Sequence, residues 1–249
     1  MKNNLPFMVF VFISACLFIG CNEAGEIKKD LKDYYFPLDE LKEGLVYEYK
    51  DVNNDSLRSL FTYYRTVETN GDKFLVGVQY DKDFQPAQLS REKLVSNGAK
   101  LVESFIYQND STGMSTQIPM EIEAGTTFPF EIKDSSSIFL YNVRWFDNPE
   151  DTTAFTRVIR NRRYVKDTLV QYYDKEIPAV VFSVRELIEN YKEGYWEKEL
   201  QGREVYAKGI GLFYFKKNIT ENFKLEYALE DRYLMSELEK KFATSISEE

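Results

Sequence analysis

The feature that most constrains the fold is an alternation of apolar and polar residues that recurs through the chain. In residues 223–230 every second side chain is large and apolar, and a similar period of two occurs at 45–50, 73–80 and 180–185. This period places one face of a strand against a core and the other toward water, which is typical of antiparallel sheets. The pattern predicts an all-β protein.

Turn signals separate these runs, the clearest being Asn70-Gly71-Asp72 and Asn97-Gly98. Asn-Gly favours the positive φ angles of tight hairpins, so we expect a meander of about ten strands. A sheet of this size must curl, split or close. The prediction is a curved antiparallel sheet, a half-barrel or barrel-like sandwich. Leu234, Leu238 and Phe242 have helical spacing and predict a short C-terminal helix.

The composition narrows the chemistry. The 249 residues include no His, so His metal sites and Ser-His or Cys-His nucleophiles are excluded. An enzyme of this composition would rely on carboxylates, Lys or Tyr. We expect no metal and no organic cofactor. The formal net charge of −9 argues against nucleic acid as a partner, because its binding depends on neutralising phosphates.

The first 21 residues differ from the rest. Lys2 supplies a positive charge, residues 5–20 are almost entirely apolar, and Gly20 precedes Cys21. A short apolar run with a positive start and a small residue at its end is typical of a secretory signal. An ordinary cleaved signal or a signal anchor is the alternative.

The run Leu17-Phe18-Ile19-Gly20-Cys21 resembles the lipobox of bacterial lipoproteins, although that family prefers an aliphatic residue where this chain has Phe18. Ile13-Ser14-Ala15-Cys16 matches the pattern better locally, but cleavage there would leave an apolar mature terminus. The resemblance implies cleavage before Cys21 and acylation of its thiol and amine. Two or more acyl chains give stable anchoring, so the membrane is the expected first partner.

The chain then divides into a predicted signal peptide at 1–20, lipidated Cys21 with a flexible tether to residue 34, an antiparallel domain at 35–232, and a short helix with a frayed tail at 233–249. The expected location is the cell envelope, as an outer-membrane lipoprotein facing either the periplasm or the surface. Both cysteines lie in the leader, so the body is expected to contain no disulfide.

Four arginines between residues 157 and 163 stand out in an acidic chain. On a strand, Arg160 and Arg162 share one face with Val158 and Tyr164, whereas Arg157 and Arg163 lie on the other. The simpler interpretation is cross-strand pairing with Glu and Asp. The alternative is an anion-binding site at Arg160 and Arg162, because Arg recognises acidic groups well.

Gly209 and Gly211 flank one apolar residue between two strand-like runs. No third Gly or helix follows, so a bulge or tight corner is expected rather than a dinucleotide loop. The run 206–215 is similar to one in poorly characterised exported β-sheet lipoproteins, which also begin with an aromatic-Pro-Leu run, as at Phe36-Pro37-Leu38. The resemblance covers about residues 35–231. It implies a curved antiparallel sheet and no known catalytic residues.

Four tripeptides combine Asp with Ser or Thr and a third Thr or Leu. They resemble the O-glycosylation site of certain didermal bacteria, and all four fall in predicted turns or at strand starts. Ordinary turn chemistry of Asp and Ser is the alternative. The acceptor residues would be Ser56, Ser111, Thr152 and Thr168.

The two tryptophans, Trp145 and Trp196, either belong to the core or line a sugar- or lipid-binding face. Glu197 and Glu199 share a strand face but lack the spacing of a glycosidase pair. We therefore expect a non-enzymatic binding or assembly module for an apolar ligand or an envelope protein partner. A carboxylate-based hydrolase of envelope glycans and a structural surface component are the alternatives.

Overall fold

The computed structural model describes residues 28–53, 57–81, 83–109, 113–134, 136–148 and 150–246. Within these ranges the chain forms antiparallel strands, two short 3-10 turns at Lys32–Tyr34 and Glu40–Lys42, and a single α-helix, α1, at Met235–Ile246. The strands are β1 Lys29–Asp30, β2 Leu45–Asp51, β3 Leu60–Thr69, β4 Asp72–Tyr80, β5 Pro86–Val95, β6 Gly98–Asn109, β7 Ser115–Pro119, β8 Glu121–Pro129, β9 Glu131–Ile132, β10 Phe139–Phe146, β11 Phe155–Tyr172, β12 Lys175–Asn190, β13 Trp196–Ala207, β14 Gly211–Asn218 and β15 Lys224–Tyr233.

Twelve of these strands form a closed antiparallel barrel. Their order around the ring is β5-β4-β3-β2-β15-β14-β13-β12-β11-β10-β8-β6, and β6 pairs back onto β5. β7 pairs with the later part of β6, on the same edge as β8, and β1 pairs with β9. The all-β antiparallel prediction and the C-terminal helix are confirmed. The sheet closes further than the predicted half-barrel or barrel-like sandwich.

Closure of the barrel requires a strand pairing that the alternation of apolar and polar residues does not predict. β5 and β6 form a hairpin through Val95 and Gly98, and the start of β6 also pairs with β8, at Gly98↔Pro129. The backbone at Gly98 is close to β8, since a Cβ there would lie 2.5 Å from the carbonyl oxygen of Phe128. The small residue therefore permits the pairing that completes the ring.

Both faces of β2 are buried, for different reasons. Tyr47 and Tyr49 point into the barrel, as the alternation predicts, and are almost fully buried. Val46 points outward yet is also fully buried, because Leu238 of α1 packs against that side. The apolar face of α1 thus covers a patch on the outside of the barrel.

The N-terminal segment closes one end of the barrel. Leu31 is fully buried and its N–H donates to the carbonyl of Phe130 at 2.8 Å, while the N–H of Gly209 donates to the carbonyl of Asp33 at 2.9 Å. Residues 29–34 were predicted to belong to a flexible tether. The structure instead packs them into the folded body, because Leu31 supplies an apolar anchor within an otherwise charged stretch.

Candidate ligand-binding cavity

The barrel encloses a cavity of about 710 Å³. An eight-stranded barrel is just narrow enough for its own side chains to fill, so twelve strands leave space at the centre. The volume falls within the range of small-molecule sites, about 300–1,000 Å³. The cavity is therefore the main candidate for a binding site in the described part of the chain.

The floor of the cavity is aromatic. Tyr35 and Phe36 enter from the N-terminal segment and pack edge-on at 5.4 Å between ring centroids. Phe36 lies 4.3 Å from the ring of Tyr64, and Tyr206 lies 4.8 Å from that of Phe128. These rings are buried or partly buried and fill the closed end of the barrel.

A first buried ion pair lies directly above this floor. The Nε of Arg162 donates to Oε2 of Glu204 at 2.7 Å, its Nη2 donates to Oε1 at 3.3 Å, and the hydroxyl of Tyr206 donates to Oε2 at 3.0 Å. Burial alone would raise the pKa of Glu204, but the charges of Arg162 and Arg160 outweigh it and hold that pKa below its usual value. Glu204 is therefore an anion at neutral pH.

A second ion pair lies one interior position further along β11. Arg160 donates through Nε to Oε2 of Glu186 at 2.6 Å, and Lys217 donates to Oε1 at 2.8 Å. Burial of Glu186 favours its neutral form, but the two cations outweigh burial and lower its pKa to about 2. The side chain of Arg160 remains 25% exposed, compared with 3% for Glu186.

A third carboxylate, Glu92, lies in a different environment. It accepts hydrogen bonds from the hydroxyls of Tyr35 at 2.6 Å and Thr127 at 2.7 Å, both at Oε2. Burial raises the pKa of Glu92, and these hydroxyls and the Arg162 charge only partly offset that effect. Glu92 thus retains its proton to a higher pH than an exposed glutamate.

Arg162, Glu204, Arg160, Glu186 and Lys217 together form a charged band in the cavity wall. Beyond this charged band the lining of the cavity becomes mostly apolar. Val158 of β11 pairs with Ile188 of β12 and with Val143 of β10. Val158 lies two residues from Arg160 on its strand, and Ile188 lies two residues from Glu186. Trp145 follows two residues further along β10. The apolar side chains that line the cavity here include Leu60, Ile106, Met120, Val143, Trp145, Val158, Ile188 and Leu225.

The predicted division of the arginines is confirmed in its geometry. Arg160 and Arg162 line the cavity together with Val158, while Arg157 lies outside and contacts Glu123 and Glu189 at 3.2 and 3.4 Å. The cross-strand pairing with glutamates, which was the simpler interpretation, is also present. Anion binding by Arg160 and Arg162 stays a prediction at this point.

Sequence reasoning missed Glu92, Glu186, Glu204 and Lys217. One signal could have identified Glu186: it continues the interior-facing series Val180, Phe182, Val184 and precedes Ile188 at the same period of two. A charged residue at an interior position of a regular alternation indicates either a buried pair or a binding site.

The other sequence candidates lie outside the cavity or at its edge. Gly209 and Gly211 form the corner between β13 and β14, with φ of +71° and +96°, as expected for a tight turn. A Cβ at Gly211 would lie 2.6 Å from the ring of Phe36, so the lack of a side chain at Gly211 leaves room for Phe36 in the cavity floor. Trp196 is half exposed, and Glu199 forms an exterior pair with Arg185 at 2.6 Å.

Two of the four glycosylation candidates can be placed. Thr152 is exposed in the turn before β11, where Asp151 accepts from the backbone N–H of Thr153 at 3.0 Å. Thr168 lies within β11 and not in a turn or at a strand start, which corrects that part of the prediction. Ser56, Ser111 and the lipidation candidate Cys21 lie outside the described residues.

Neither a metal centre nor a membrane-spanning helix is found among the described residues. They contain no group of three or more Asp, Glu, Cys or His side chains suited to a metal ion. In the same ranges no helix has the length and apolar content needed to span a bilayer.

Comparison with known proteins gives one structural similarity. No protein-family model matches the chain, and a search of curated proteins finds no match. A crystal structure described as a "putative lipoprotein" from Parabacteroides distasonis is similar, with a TM-score of 0.49 and 10% identity over 80% of this chain and 98% of that one. Similarity at this level assigns neither a family nor a function.

Proposed function

We propose that this chain is a lipid-anchored protein of the cell envelope whose barrel binds an apolar ligand in its interior. The observation that supports ligand binding is the cavity of about 710 Å³, closed at one end by aromatic rings and lined elsewhere mainly by apolar side chains. The observation that supports anchoring is the lipobox-like run ending at Cys21. The two halves of the proposal are independent and need separate tests.

The binding half is tested with N-phenyl-1-naphthylamine, a neutral apolar dye that fluoresces on leaving water. Val158→Trp adds an indole inside the cavity and should abolish saturable dye binding. Leu169→Trp adds the same group on the same strand at a position that is 55% exposed, and it should leave binding unchanged. Equal binding by both variants would place the dye elsewhere and overturn the proposal.

The anchoring half is tested by Cys21→Ala expressed in the native host. Removing the thiol removes the acyl chains, so the variant should shift from the membrane to the soluble fraction. A variant that still sediments with membranes would show that something other than Cys21 holds the protein there. Outer-membrane placement and its orientation are further parts of the same proposal, read from fractionation and from protease access in whole cells.

Hydrolysis of envelope glycans is the alternative function, and one observation favours it. The cavity holds carboxylates whose pKa values move in opposite directions, with Glu92 raised and Glu186 lowered, which is a pattern of acid–base pairs. However, the carboxylate of Glu186 already accepts hydrogen bonds from Arg160 and Lys217, and that of Glu92 accepts them from Tyr35 and Thr127. Glycan hydrolysis abolished by Glu92→Gln would favour the enzyme.

A protein partner is the other ligand class expected from the sequence. Phe155 and Tyr191 stack at 4.4 Å on the outside of the barrel, and Tyr191 lies 4.7 Å from Tyr195. Tyr195 and Trp196 are each about half exposed, at 53% and 50%. Exposed aromatics of this kind suit protein contacts, whereas the cavity suits a small molecule.

A further inference from the structure

The charges inside the barrel do not pair off completely. The described residues that line the cavity include four cations, Arg160, Arg162, Lys216 and Lys217, and three carboxylates, Glu92, Glu186 and Glu204. Lys216 is paired with Glu226 at 3.0 Å, which leaves three cations to share the cavity with Glu92, Glu186 and Glu204.

Among the described residues that line the cavity, Glu92 is the carboxylate without a direct cationic partner, since its hydrogen bonds come from the hydroxyl groups of Tyr35 and Thr127. Burial also raises its pKa and so favours its uncharged form. Arg160, Arg162 and Lys217 therefore contact only two carboxylates, Glu186 and Glu204. A bound acid group would give these three cations a further partner, and charge-assisted hydrogen bonds of this kind are strong.

The hydrogen bonds of the Arg162 guanidinium are also incomplete. Its Nε and Nη2 donate to Glu204, but its Nη1 is buried and has no acceptor within the described part of the chain. The residue as a whole is only 7% exposed. A buried N–H group without a partner weakens the folded state, so an acceptor supplied by a ligand would be favoured here.

The position of these charges sets the shape of the ligand. They lie next to the aromatic floor, and the apolar part of the lining lies beyond them, through Val158 and Ile188 toward Trp145. A molecule that meets both regions has an acid group at one end and an apolar body at the other.

We infer that the cavity binds an amphiphile carrying one acid group, such as a medium- or long-chain carboxylate, with the acid beside Arg160 and Arg162 and the chain along Val158, Ile188 and Trp145. This rests on the proposed function, because it names the ligand class of the same cavity. Arg160 is the main contact for the incoming acid, as its side chain is partly accessible.

The test compares three ten-carbon probes as competitors of N-phenyl-1-naphthylamine: decanoate, 1-decanol and decyltrimethylammonium. A charge-assisted hydrogen bond in a buried site should make decanoate bind at least about tenfold more tightly than decanol, with the cation weakest. Sodium acetate, which has the acid group without the chain, should not displace the dye.

Arg160→Gln should reduce the preference for decanoate over decanol to less than about threefold. Arg185→Gln is the matched control, since Arg185 lies next to Glu186 on β12 but faces outward and pairs with exposed Glu199. Because Arg160→Gln leaves Glu186 with a single cation, the double variant Arg160→Gln/Glu186→Gln is measured beside it and should show the same loss of preference.

The possible failures are distinguishable. Equal displacement by decanoate and decanol, or an acid preference that survives in Arg160→Gln and in the double variant, would overturn the acid site and leave interior binding intact. Displacement by none of the chain-bearing probes, together with dye binding that Val158→Trp does not alter, would overturn both the acid site and the proposed function. Displacement of the dye by acetate alone would indicate a site for small anions and would overturn the inference that the ligand is an amphiphile.

Discussion

The two halves of the barrel interior are built from different chemistry. At the closed end, aromatic rings and the buried Leu31 form packed apolar contacts. Next to this end, the buried ion pairs Arg162–Glu204 and Arg160–Glu186–Lys217 line the cavity. Packed apolar contacts are a reliable source of stability, whereas buried ion pairs add little net stability. The contrast suggests that the closed end maintains the fold and the charged band serves binding.

The sharpest way to break this contrast is to remove one member of a buried pair. Arg162→Leu leaves Glu204 as an uncompensated buried carboxylate and should destabilise the protein by about 3–5 kcal/mol. Arg162→Leu combined with Glu204→Leu removes both charges and should recover most of that loss. The measurement is the free energy of unfolding from urea titration.

Arg185→Leu is the exposed counterpart, because its pair with Glu199 lies in water, and its effect on the free energy of unfolding should be much smaller. If the double variant at Arg162 and Glu204 were as unstable as the single one, the pair itself would be a source of stability. The division between a stabilising end and a binding band would then be wrong.

The closed end is tested next by Leu31→Ala. Leu31 is fully buried, so truncation should leave a cavity and cost about 2–5 kcal/mol. Leu169→Ala, at a position that is 55% exposed, should change stability by less than about 0.5 kcal/mol. Urea midpoints of the two variants give the comparison, and equal midpoints would mean that residues 29–34 are a tether after all.

The smallest effect is expected at Glu92, which lies between the two regions. Its pKa is raised in the folded state, so its contribution to stability is present at low pH and is lost as pH rises from the ordinary glutamate value through the raised one. Gln keeps an oxygen that can accept from Tyr35 and Thr127 but cannot ionise. Glu92→Gln should therefore stabilise the protein at pH 7 by about 0.5–2 kcal/mol.

The pH dependence supplies the control for that variant. The gain should shrink toward pH 4, where Glu92 is protonated in the wild type as well. Thermal unfolding at pH 7 and at pH 4 measures the gain in stability. A gain of the same size at pH 4 would show that changed packing, not the ionisation of Glu92, is its cause.

The sequence was informative where patterns are local. The period of two placed Tyr47 and Tyr49 on the core face of their strand and grouped Val158, Arg160 and Arg162 on one shared face, because side-chain direction in a strand depends only on alternation. Asn70 and Gly71 form the expected hairpin turn, both with positive φ. Each of these features is determined within a few neighbouring residues.

Features that depend on distant pairing were not accessible. Glu204 meets Arg162 across 42 residues of chain, and Glu186 meets Arg160 across 26. Closure of the ring depends on β2 pairing with β15, the first and last strands of the barrel, and on β6 pairing with β8. Neither the partners of the arginines nor the enclosed volume follows from periodicity alone, since both require the strand order.

Interior binding is tested most directly by the two tryptophans, the only ones in the chain, because one lines the cavity and the other is half exposed outside it. Their indole N–H signals, assigned with Trp145→Phe and Trp196→Phe, are followed by NMR while decanoate is added. Binding inside the barrel predicts a saturable shift of the Trp145 signal and an unchanged Trp196 signal. A shift confined to Trp196, or no shift at either, would contradict it.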